Sequence, residues 1–157
     1  MRETKRISKV SDVQGLLSNE LFPNGSKGLD IDYIHCDGGR FIVFEFLRCQ
    51  HPKMTPKYSH PKNYWHNWRK FLSLFNISKA IGSDLYLVNY ETDPKVPEND
   101  MEIKGFGDFA VLKVDLDFAP VKEKPNSLVT KRVFTGSFSQ FKEWFKAETS
   151  VPNKGLQ

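Results

Sequence analysis

The stretch "LDIDYIHCDGGRFIVFEFLRCQ", residues 29–50, decides how this chain folds. Residues 29–37 alternate, with Leu29, Ile31 and Tyr33 on one side and Asp30, Asp32 and Ile34 on the other. Such alternation is the mark of a half-buried strand. Gly38-Gly39 then supplies two adjacent residues free to adopt positive φ, which suits a two-residue hairpin loop. Residues 40–49 return as a second, almost wholly apolar strand. Within it stands one carboxylate, Glu45, between Phe44 and Phe46. Carboxylates are seldom buried without a partner.

The hairpin makes that partner calculable. If Gly38-Gly39 is the loop, Asp37 pairs with Arg40, Ile34 with Val43 and Asp32 with Glu45. Opposed side chains on one face have Cβ atoms ~5 Å apart. Two like charges at that distance repel, and a divalent cation resolves the conflict. Mg²⁺ takes hard oxygen ligands, usually one or two carboxylates with waters and phosphate. Asp30 lies on the same face, and Glu20, at the end of a preceding helical segment, offers a further carboxylate. A bulge or longer turn would slip the register and separate the pair. Glu45 would then pair with an arginine such as Arg48 or Arg69, or lie at the sheet surface.

Outward from the hairpin, Val10, Val13, Leu16, Leu17 and Leu21 follow helical spacing before the break at 23–28. Residues 50–63 hold three prolines and three lysines and read as a loop. A helix is predicted over 64–81, its apolar stripe formed by Trp65, Trp68, Phe71, Leu72 and Phe75, with Arg69 and Lys70 mostly off it. Gly82 ends it. Strands are predicted over 84–91 and 109–116, with a last one near 128–134. Ser137 and Gln140 form a capping box for a final helix carrying Phe141, Trp144 and Phe145. Gly105 and Gly107 read as a turn, because a phosphate-binding glycine loop needs a strand-to-helix setting. The order implies a single α/β domain over 1–157, with a core over about 10–148 and a frayed tail at 149–157. Its centre is a mixed β-sheet flanked by helices.

The 157 residues carry a net charge of +4, compatible with a nucleic-acid partner. No apolar run reaches the roughly 20 residues of a membrane span, and "MRETKRISKV" lacks the apolar segment of a secretory signal. Cys36 and Cys49 show neither metal-site spacing nor a disulfide framework, so a cytoplasmic setting is expected. His51, His60 and His66 form no zinc pattern with them. Lys53, Lys57, Lys62 and Arg69 are candidate nucleic-acid contacts. Trp65, Trp68 and Phe71 are read as core rather than as a base-stacking platform.

The succession of helix, acidic strand, hairpin and apolar strand with glutamate resembles the PD-(D/E)XK nuclease superfamily, which has the restriction-endonuclease-like fold. "GLDIDYI" and "FIVFEFLR" carry the resemblance, and "YWHNWRKFLSLFNISKAIGSDLYLVNYE" resembles the helix and strand that follow. It spans roughly residues 10–116. The resemblance implies a nuclease that hydrolyses DNA phosphodiester bonds with Mg²⁺ or Mn²⁺. Asp32 and Glu45 would be its metal ligands, Asp30 an alternative for the first, and a homodimer is possible. The chain departs from the pattern two residues after the glutamate, where Leu47 replaces the lysine. Either a cation comes from elsewhere, with Lys70 or Arg69 as candidate, or the domain binds nucleic acid or a protein without cutting.

Overall fold

The computed structural model describes residues 31–49, 54–93, 95, 105–124 and 127–150. The predicted helix over 10–21, together with Glu20, Asp30 and Lys53, lies outside them, as does most of the predicted tail.

Five strands form one mixed sheet: β1 (Tyr33–Asp37), β2 (Arg40–Arg48), β3 (Asp84–Thr92), β4 (Phe106–Val114) and β5 (Thr130–Ser137). They lie side by side in chain order. Only β2 and β3 run parallel; the other neighbours are antiparallel. Parallel strands need a crossover, and α1 (Trp68–Ile81) supplies it. The second described helix, α2 (Phe138–Ser150), follows β5.

Alternation along the strands assigns the helices to opposite faces. Val43, Leu47, Leu85, Leu87, Leu112 and Val114 pack with Trp68, Phe71, Leu74 and Phe75 of α1. Ile42, Phe44, Tyr86, Val88, Phe109 and Val111 pack with Phe141, Trp144 and Phe145 of α2. Strand β2 is therefore covered on both sides, which explains why its sequence is apolar almost throughout rather than at alternate positions.

The hairpin has the predicted register. Asp37 pairs with Arg40 and Ile34 with Val43. Gly38 and Gly39 take φ values of 57° and 80°, the left-handed region that both central positions of this tight turn require.

Three other expectations shift. Residues 61–67 form 3-10 turns rather than the first part of α1, with Tyr64 at φ −115° and ψ 43°. The Tyr64 ring is buried, and its hydroxyl lies 3.4 Å from Cys49 Sγ. The helix closes on Gly82 as predicted. Strand β4 begins at Phe106, so Gly107 belongs to a strand and not to a turn. A Cβ there would stand 2.6 Å from the Glu91 side chain, which would have to shift. Strand β5 runs on to Ser137, which caps α2. Its N–H donates to Gln140 Oε1 at 2.8 Å and its hydroxyl accepts from Gln140 N at 3.3 Å, the predicted capping box.

Candidate functional site: a buried glutamate between an aspartate and a lysine

Glu45 stands mid-way along β2 on the face covered by α1, and only 3% of it is exposed. An isolated carboxylate there would be costly. Its partner is Lys70, in the first turn of α1, whose Nζ lies 2.6 Å from Glu45 Oε1. A cation near a helix N-terminus opposes the macrodipole by roughly 0.3–1 kcal/mol. The Glu45 carboxylate offsets that cost for Lys70.

Asp32 directly precedes β1. The pairing of Tyr33 with Phe44 places it opposite Glu45, and its Oδ2 accepts a hydrogen bond from Phe46 N at 2.8 Å. Burial raises the Glu45 pKa, the nearby Asp32 raises it further, and Lys70 works against both; the result is about 7. Glu45 thus exchanges its proton near neutrality. When both are ionised, Asp32 and Glu45 offer each other acceptors only; when Glu45 is protonated, its hydroxyl donates to Asp32. Among the described residues, the buried Glu45 Oε2 has no hydrogen-bond donor.

Of the predicted residues, the structure brings together Asp32, Glu45 and Lys70. Leu47 faces the same side as Glu45 and is buried in the core. Arg48 points to the other face and donates from Nε to Thr92 Oγ1 at 2.9 Å. Arg69, Lys57 and Lys62 are exposed, and Lys57 Nζ lies 5.7 Å from the centre of the Tyr58 ring. Trp68 and Phe71 are core residues, and Trp68 Nε1 donates to the Lys122 carbonyl at 2.7 Å. Cys36 is exposed and Cys49 half-buried, both as free thiols.

Sequence reasoning passed over two features. The first is a cluster at the far end of β2. Cys49 Sγ lies 3.2 Å from Ser59 Oγ, and both neighbour the Tyr64 hydroxyl. Burial pushes the Tyr64 phenol well above its usual range. The second is Asn89 on β3. It is 1% exposed, and neither its carboxamide oxygen nor its nitrogen has a partner. The alternation of Leu85, Leu87 and Asn89 was a usable signal, since it sets a polar group at a core position as Glu45 does on β2.

Asp32 and Glu45 are oxygen ligands of the type a hard divalent cation takes, while the Lys70 ammonium competes with such an ion for Glu45. Among the described residues no group of three or more His, Cys, Asp or Glu could hold a metal ion. No family model, curated protein or solved structure matches the chain. The functional argument therefore rests on these side chains and their setting.

Proposed function

We propose that the chain is a metal-dependent nuclease of restriction-endonuclease-like fold that hydrolyses DNA phosphodiester bonds. The observation that carries this reading is the Lys70 ammonium 2.6 Å from Glu45 Oε1. In this reading Lys70 would supply from α1 the cation that the PD-(D/E)XK pattern places two residues after the glutamate. Asp32 and Glu45 would hold the ion, Mg²⁺ or Mn²⁺. When bound, such an ion lowers the pKa of a water and neutralises charge on the phosphate. Asp32 and Glu45 supply the negative charge that attracts it. Lys70 is placed to donate to a phosphate oxygen or to orient the attacking water. Lys57, Lys62 and Arg69 would meet the DNA backbone, where cations set position rather than sequence.

The test is incubation of supercoiled plasmid with Mg²⁺ or Mn²⁺ and the wild-type protein, Glu45→Ala or Lys70→Ala. Wild type cuts, and each variant loses at least ~100-fold, the range of a lost electrostatic stabiliser. Equal cutting by all three proteins would trace the activity to a contaminant. The same ion pair also favours a second reading, a nuclease-fold module that binds nucleic acid or a protein without cleavage, because Lys70 by itself neutralises Glu45. Retention of plasmid without cutting, under either metal, would select that reading.

A further inference from the structure

Among the described residues, the sheet atoms Glu45 Oε2, Asn89 Oδ1 and Asn89 Nδ2 are buried under α1 without a hydrogen-bond partner, as is Ser78 Oγ on α1 itself. In folded proteins such groups are rare, and each demands an explanation. The register sets the three sheet atoms close together. Glu45 pairs with Leu87 and Leu47 with Asn89, so Glu45 and Asn89 are diagonal neighbours on adjacent parallel strands. From strand spacing and rise, their Cα atoms are roughly 8 Å apart. On the other side Asn89 pairs with Ala110, a residue too small to fill the space beside a carboxamide. Long side chains at such diagonal positions are within reach of one another.

We propose that Asn89 is a positioning residue for Glu45, holding the carboxylate through one buried water shared by Glu45 Oε2 and the Asn89 carboxamide. A buried water needs two to four polar partners, and these three atoms supply them. Nδ2 donates to the water, the water donates to Oε2, and its second hydrogen is left for Asn89 Oδ1 or a nearby carbonyl. With Lys70 on Oε1 and the water on Oε2, the carboxylate plane is fixed from both ends. A carboxylate oxygen has two lone pairs, so Oε2 still has one for a cation. Asn89 stands directly beside Leu47. Two groups thus share the work of the missing lysine: Lys70 brings the charge and Asn89 the orientation. The ionisable groups that act on Glu45 are Lys70 from α1 and Asp32 ahead of β1. The facing positions of β3 are Leu85, Leu87 and Asn89 and carry no charge.

The assignment rests on the reading of Glu45 as the working carboxylate, but its first measurement needs neither metal nor nucleic acid. In wild-type protein, NMR should show a long-lived water in contact with the Asn89 side-chain NH₂. In Asn89→Leu, Mg²⁺ affinity measured by calorimetry should fall tenfold or more, the usual effect of losing a group that orients a ligand. The thermal midpoint should fall, because loss of the carboxamide leaves the buried Glu45 Oε2 without its bridge. Asn89→Ser, whose hydroxyl can hold the water, should recover part of the affinity. Absence of the water overturns the proposal, as does affinity within twofold of wild type in Asn89→Leu. If the leucine variant does not fold, the water signal and the serine variant decide. If wild type binds no Mg²⁺, the nuclease reading falls and the water signal alone decides this inference.

Discussion

The two faces of the sheet are packed differently. Under α2 the packing is aromatic: Phe109 stacks on Phe141 at 4.6 Å between centroids, Phe106 on Phe138 at 4.9 Å, and Phe44 meets Phe145 at 4.9 Å. Polar groups gather at one end, where Arg40 bridges Asp84 and Glu148 at 2.9 and 3.0 Å and the Tyr86 hydroxyl donates to Glu148. These groups are paired, whereas His35 Nε2, on the same face in β1, is buried without a hydrogen-bond partner among the described residues. Under α1 the packing is aliphatic and aromatic, but Glu45, Lys70 and Asn89 interrupt it, with buried atoms left unsatisfied. Among the described residues, the unsatisfied buried atoms under α1 include Glu45 Oε2 and both carboxamide atoms of Asn89, two polar side chains with apolar neighbours.

The largest effect is expected on the α2 face. Phe141→Ala should cost about 3–4 kcal/mol in chemical denaturation, the lower part of the range for a buried phenylalanine. Activity per folded molecule should not change; a loss of activity beyond the unfolded fraction would break the division between the faces. Next comes the ion pair. Lys70→Met leaves Glu45 buried without its cation, which should cost about 3 kcal/mol where the carboxylate is ionised. The folded-state pKa of Glu45 is about 7, above its ordinary value of 4.5. Below pH 7 the folded forms of both proteins hold the proton, so the variant should differ little from wild type. The gap should open as the pH rises above 7, and urea titrations at pH 6 and pH 9 would show it. The same raised pKa makes wild type lose stability relative to Glu45→Gln between pH 4.5 and 7, on the order of 3 kcal/mol in total. A flat difference across that window would remove Glu45 from the buried class. The smallest effect belongs to the cap of α2. Ser137→Ala should cost about 1 kcal/mol by thermal unfolding, with catalysis untouched.

How far each part could be read from the sequence follows from how local its causes are. The opposition of Asp32 and Glu45 followed from two glycines, since a two-residue turn sets every pairing beyond it. Gly82 and the Ser137–Gln140 box were equally local. The phase of α1 was not. The stripe of Trp68, Phe71, Leu72 and Phe75 placed Lys70 off the core, yet the buried set is Trp68, Phe71, Leu74, Phe75 and Ser78. That rotates the helix towards Lys70, whose i+4 neighbour is Leu74. Tertiary packing chose among faces that the periodicity left nearly equivalent. Gly107 was misread for the same reason, because only the packed Glu91 side chain shows why a strand would carry a glycine. Nor could a single strand reveal Asn89, whose meaning depends on what lies diagonally across β2.

The turn at Gly38-Gly39 behaves as a ruler for the chemistry. Surface turns are where chains usually gain and lose residues at little cost. Here one added residue would leave β2 in place under both helices and still turn each β1 side chain to the opposite face. Asp32 would then be carried to the aromatic side, away from Glu45. A change in the length of this turn is therefore a change in the charge of the site, made without replacing any residue that lines it.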